Sequence, residues 1–155
     1  MQGHPAVIDA LNALLANELS ARDQYFIHSR MLEHWGFTKT AARIAHEMED
    51  ETAHASALIH RILMLDGTPR MTPAALNVGT DVRSVFANDL AVELSVVTHL
   101  REVIALTEHE SDFVTRDVLL PMLKDTEEDH AHWLEQQLRL LQALGEHNYL
   151  QSQVG

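Results

Sequence analysis

Four stretches of this 155-residue chain carry an apolar residue every three or four positions over many turns, and each of these stripes is interrupted by a charged or imidazole side chain. The first reads Leu11, Leu14/Leu15, Glu18, Arg22, Tyr25, and the second Ile44, Met48, Glu51, His54/Ala55, Leu58, Ile62, Leu65. The third reads Phe86, Leu90, Glu93, Val97, Leu100, Ile104, and the fourth Leu120, Leu123, Glu127, His130, Leu134, Leu138, Leu141. Residues three and four apart share one face of an α-helix. The pattern therefore demands long helices packed against one another through faces that bury four carboxylates and two imidazoles.

Uncompensated, that much buried charge would cost many kcal/mol. Four negative charges match two divalent cations, so the stripes point to a pair of metal ions. Glu51/His54 and Glu127/His130 are each a Glu-x-x-His pair, able to close on one metal-sized volume. Spacing alone is weak evidence, because 13 Glu and 11 His in this chain produce roughly one such pair by chance. The information lies in the place of each pair on an apolar stripe. The bland alternative is a set of buried ion pairs without metal.

The inferred ligands are rich in oxygen and contain no thiolate. Structural zinc favours thiolate and imidazole, so iron or manganese fits better. Glu51 and Glu127 share a helix face with a histidine and are placed to bridge two metals. Glu18 and Glu93 are then terminal ligands, one per metal. Two ferrous ions held side by side can each give one electron to dioxygen.

Composition narrows the field. With no cysteine, disulfides, iron–sulfur clusters and thiol nucleophiles are excluded, and a reducing cytosol is the expected compartment. Met1–Pro5 has no basic-then-apolar run, so no signal peptide is expected, and no apolar run approaches the roughly 20 residues of a membrane span. The net charge of −12 disfavours nucleic acid and favours cations.

The chain is expected to form a single all-α domain over 1–155, with helices at about 5–35, 39–65, 82–110, 112–144 and 146–153. Pro5 suits a first helical turn, Thr38 is expected to cap the second helix, and Gly36 and Gly145 suit helix ends. Gly67, Pro69, Pro73 and Gly79 mark a long connector between the second and third helices. Helices of about 27–33 residues are roughly 40–50 Å long, and only this connector can span them. The outcome is a four-helix bundle with one long crossover and a short fifth helix. Pro121 lies inside the fourth helix and predicts a kink there.

The segments LLANELSARDQYFIHSRM, HEMEDETAH, DLAVEL, DTEEDHAHWLE and NYLQSQ resemble the bacterioferritins and their haem-free bacterial ferritin relatives over nearly the whole chain. The resemblance implies a ferritin-like bundle assembled into a hollow 24-subunit cage. It implies oxidation of Fe(II) by O2 or H2O2 and storage as ferric mineral. The family's six ferroxidase ligands fall on Glu18, Glu51, His54, Glu93, Glu127 and His130. His46 and Asp50 resemble an inner-surface iron site, against which stands a solvated cage-lining face. Tyr25 resembles a tyrosine beside the di-iron centre, against which stands core packing. Trp133 is expected to pack, and His28, His34, His60, His99, His109, His132 and His147 to lie on the surface.

One departure from the family is visible. The methionine that ligates haem between two subunits is replaced here by Thr52, whose short, hard hydroxyl cannot substitute for a thioether. Little or no haem is expected in a homo-oligomer, and docking of the family's ferredoxin partner is doubtful. Co-assembly with a haem-binding subunit would supply the missing methionine. Two competing readings are a di-iron or di-manganese oxidase that stores nothing and a DNA-binding mini-ferritin. The latter is disfavoured by an N-terminus without Lys or Arg before Arg22.

Overall fold

The computed structural model describes residues 1–155. Six α-helices and one π-helical segment account for its regular structure: α1 Pro5–His34, α2 Thr38–Met64, α3 Val82–His109, α4 Phe113–Lys124, the π segment Asp125–Ala131, α5 His132–Leu144 and α6 Glu146–Gln153. α4, the π segment and α5 follow without a break, since Asp125, Ala131 and His132 all hold right-handed helical dihedrals. Together they form the fourth rod of a bundle, and α6 folds back against α5 and α2.

Local chemistry sets the boundaries. Pro5 opens α1, and the His4 ring accepts a hydrogen bond from the Ala6 amide at 3.2 Å. Asp81 caps α3 through the Ser84 amide, with Ser84 reciprocating in a capping box. Asp112 caps α4 through the Thr115 amide at 3.0 Å. Gly36 and Gly145 hold φ of 91° and 80°, which other residues resist, where α1 and α5 end. Thr38 does not cap α2. It is already the first helical residue, and Phe37 precedes it with no side-chain cap.

The long connector is fastened along α1. Asn12 donates to the Thr68 carbonyl at 3.1 Å and accepts from the Arg70 amide at 2.6 Å. Further on, Gln24 accepts from the Asn77 amide at 3.1 Å, and the His28 ring accepts from the Gly79 amide at 3.0 Å. The connector thus runs beside α1 from its first third to its last, which fixes α3 next to α1.

Two apolar cores result. One combines Leu11, Leu14, Leu58, Ile62, Leu100, Leu119 and their neighbours. The other combines Ala21, Leu32, Ile44, Phe86, Leu134, Tyr149 and theirs. Between them, at mid-height, lies a buried layer of charge.

The fourth rod departs from the expected stripe. Leu120 is exposed, whereas Thr115, Leu119, Met122, Thr126, His130, Leu134, Gln137 and Leu141 face inward. Pro121 cannot donate a backbone hydrogen bond, and the winding widens four residues later rather than at the proline. A π turn places more residues in one turn than an α turn does, so it offsets the stripes on either side of it.

Candidate metal centre

α1 contributes Glu18 to the central layer, α2 contributes Glu47, Glu51 and His54, α3 contributes Glu93, and the π segment contributes His130. Glu18, Glu51, Glu93 and His130 are at most 2 % exposed. Two fully buried groups of ligand atoms form, Glu18–Glu51–His54 and Glu51–Glu93–His130, beside a third, partly exposed one, Glu47–Asp50–Asp129–His130, the atoms of each group lying within 4.8 Å of one another. Glu51 belongs to both buried groups, the position a bridging carboxylate would occupy. The His54 and His130 rings stack across the layer with centroids 6.0 Å apart.

These groups are near one another without being satisfied. His54 Nδ1 lies 3.6 Å from both Glu18 and Glu51, and His130 Nδ1 lies 3.0 Å from Glu51 and 3.4 Å from Glu93. Yet both carboxylate oxygens of Glu18 and of Glu51, with Nδ1 of each histidine, are buried and make no aligned hydrogen bond. A cluster of orphaned acceptors of this kind calls for a cation.

Electrostatics agree. Burial, reinforced by the charge of Glu51, raises the Glu93 carboxyl to about 7. Burial also pushes Glu51 up, but His130 and His54 outweigh it and hold the carboxyl low. Burial disfavours the charged form of both imidazoles, and the facing carboxylates overcome it. His130 is raised by Glu47, Glu51 and Glu93, and His54 by Glu51 and Asp125. The Tyr25 hydroxyl donates to Glu93 Oε1, and burial beside that carboxylate raises the phenol well above its ordinary value.

The structure thus brings together Glu18, Glu51, His54, Glu93 and His130, with Tyr25 touching the layer. It does not bring in Glu127. That side chain is 37 % exposed and pairs with Arg101 of α3. The reason is the π winding: residues three apart share a face in an α-helix but fall further apart in angle where the turn is wider. Asp125, five residues before His130, meets His54 Nε2 at 3.1 Å instead.

Three features lay outside the sequence reading. Glu47 is buried and lies 2.7 Å from His130 Nε2, while its other oxygen accepts from Arg43 Nε at 2.6 Å. Arg43 one turn before it was the available signal. His28 is fully buried rather than on the surface, and its Nδ1 meets the buried Asp89 at 2.8 Å. Its pairing depends on a residue 61 positions away, which no local pattern shows. The layer also reaches outward: Asp50 Oδ2 lies 3.2 Å from His130 Nε2 and 3.4 Å from the exposed His46. Trp133 packs edge-on against Phe86, and Thr52 is exposed, its hydroxyl donating to the Met48 carbonyl.

A bundle of four rods with one long crossover and a carboxylate–imidazole layer at mid-height has the architecture of the ferritin-like proteins. A family model described as the ferritin-like domain matches residues 8–144. The bacterial ferritin of Neisseria meningitidis serogroup B is 58 % identical over 154 residues, covering 99 % of this chain and 100 % of that one. That of Pseudomonas aeruginosa is 59 % identical over 154 residues, with the same coverage. That of Synechocystis sp. is 53 % identical over 155 residues, covering 99 % of each. The chain belongs to the ferritin family and groups there with the bacterial ferritins.

Proposed function

We propose that this protein is an iron-storage ferroxidase that takes up Fe(II), oxidises it with O2 or H2O2, and keeps the ferric product inside a cage of, in all, 24 copies. The observation that carries the reading is the pair of ligand groups sharing Glu51, with orphaned carboxylate oxygens aimed between them. Ferrous iron is the substrate, and two adjacent ions supply two electrons to one oxidant. Glu18 and His54 would hold one ion, Glu93 and His130 the other, and Glu51 both. Glu127 is the sixth ligand of this reading and must turn inward to serve. Tyr25 orients Glu93 and holds a proton beside the ions. The two apolar cores exclude water from above and below.

His46 and Asp50 would take ions at the inner surface of the cage and stand as the link to mineral growth. Thr52 leaves a homo-oligomer without the haem methionine, so ferredoxin docking through haem is not part of the proposal. A co-assembled haem-binding subunit would restore it. No helix is long and apolar enough to cross a membrane, and we assign the protein to the cytoplasm.

The test is aerobic loading of purified protein with Fe(II), followed by size, iron count and visible spectrum. The expected particle is about 420 kDa, from 24 chains of 17.4 kDa, and retains far more iron than two ions per chain. A small species that consumes Fe(II) or another substrate without retaining iron would favour the non-storing oxidase. The same preparation, grown with haem, is expected to lack a Soret band, and Thr52→Met to gain one.

A further inference from the structure

We propose that Arg101 is a positioning residue that holds Glu127 outside the metal centre until metal enters, so that loading must break this ion pair and tighten the π segment. The proposal rests on the reading that Glu127 is a ligand of the loaded site. Four observations support it. Glu127 lies on the only π-wound segment of the molecule. Its Oε1 accepts from Arg101 Nη2, and both groups are substantially exposed, at 37 % and 64 %. The layer it would enter holds four buried carboxylate oxygens, on Glu18 and Glu51, that make no hydrogen bond. Asp125, whose side chain is 58 % exposed, meanwhile meets His54 at Nε2, the ring nitrogen opposite the one that faces Glu18 and Glu51, so it does not take a place in the ligand group.

The geometry makes the two states mutually exclusive. In the π winding, His130 looks inward, the largely exposed Asp125 reaches His54 from the rim, and Glu127 pairs with Arg101 of α3. Under α winding, Glu127 and His130, three apart, would share the inward face. A π turn carries one extra residue, so it can pass to a neighbouring turn without a change in chain length. Thr126 fits such a hinge, since its hydroxyl donates to the Met122 carbonyl at 2.8 Å and occupies a backbone acceptor in the last turn of α4, just before the widened stretch. What biases the metal-free protein toward the outward state is the guanidinium. Glu47 pairs with His130 Nε2, the ring nitrogen opposite the one that faces Glu51 and Glu93, and so leaves that side of the ring open.

Arg101 lies on the exposed face of α3 and touches none of the other proposed ligands. Its effect on metal binding should therefore run through Glu127 alone. An exposed pair of this kind shifts an equilibrium by about two- to fivefold. Its strength should also fall as monovalent salt screens it.

The experiment is anaerobic titration with Fe(II) alone, by calorimetry, on the full-length assembled protein and on Arg101→Gln, Arg101→Lys, Glu127→Gln and the Arg101→Gln/Glu127→Gln double variant. Hydrogen exchange over 125–131 is followed before and after loading. Arg101→Gln is expected to bind the weaker ferrous ion about two- to fivefold more tightly, and Arg101→Lys to stay near wild type. The gain should vanish in the Glu127→Gln background and shrink at high salt. Exchange over 125–131 should slow on loading in the wild type, and in metal-free Arg101→Gln should already differ from it. Unchanged or weaker binding by Arg101→Gln, with Glu127→Gln clearly impaired, overturns the holding role while leaving Glu127 a ligand. Unchanged binding by Glu127→Gln overturns both. Should Arg101→Gln fail to assemble, Arg101→Glu, which repels Glu127 from its outer position, must show the same tightening.

Discussion

At the scale of single residues, the centre spends stability on charge. Glu18 is fully buried, and neither of its oxygens has a hydrogen-bond partner. Glu18→Met keeps the length of the side chain and removes the desolvated carboxylate. The metal-free protein is expected to gain about 1–3 kcal/mol, while ferrous oxidation slows more than about tenfold. Thermal melts of the metal-free variant and oxygen-pulsed oxidation measure the two. A melting temperature below wild type would show that Glu18 is satisfied without metal. Tyr25→Phe removes one hydroxyl and conserves the packing, so it is expected to slow oxidation without loss of bound iron and to cost about 1 kcal/mol. Identical progress curves would leave Tyr25 to packing. Glu18, Glu51, Glu93 and both histidines were legible because each replaced an apolar residue on its stripe. Glu47 was not, since it stands beside the stripe and reads as one more acid in HEMED.

At the scale of elements, periodicity located three rods well and the fourth only in part. A stripe can be read only by assuming a period, and the assumed α period runs one residue out of step across Asp125–Ala131. That is why Leu119 is buried where Leu120 was expected, and why Glu127 left its partner. Helix ends are more local: Gly36 and Gly145 fall where α1 and α5 stop, as expected, whereas Thr38 was misread as a cap and Asp112, which does cap, was not singled out. Its carboxylate accepts from the Thr115 amide and hydroxyl and from the largely buried Arg61 at 3.1 Å. Asp112→Ala is expected to cost about 1–2 kcal/mol at neutral pH, seen in urea melts. Burial tends to raise this carboxyl, but the Thr115 and Arg61 contacts outweigh it and hold it below its ordinary value. A folded pKa below the unfolded one stabilises the fold above the unfolded value, and the stabilisation is lost as pH falls through the folded one. The gap between wild type and Asp112→Ala should therefore narrow below about pH 4. A gap that stays constant into strong acid would mean that the cap works without its charge.

At the scale of the whole molecule, metal and fold are linked. Ligand groups that converge only in the folded bundle make any bound ion a stabiliser. Anaerobic Fe(II) at about 100 times its dissociation constant is expected to add roughly 2.7 kcal/mol, reversed by a chelator. No shift in melting temperature would mean that the folded layer takes no metal. The two apolar cores have a further consequence. Each end of the bundle has its own hydrophobic mass, Leu14, Leu58 and Leu100 at one and Ile44, Phe86 and Leu134 at the other, and across the middle they meet through the charged layer and the partly buried Val92, which packs against both. Such a rod is stiff at its ends and soft at its waist. Small openings at mid-height need not disturb either end. Ions can then come and go through a molecule that, judged by its two ends, never unfolds.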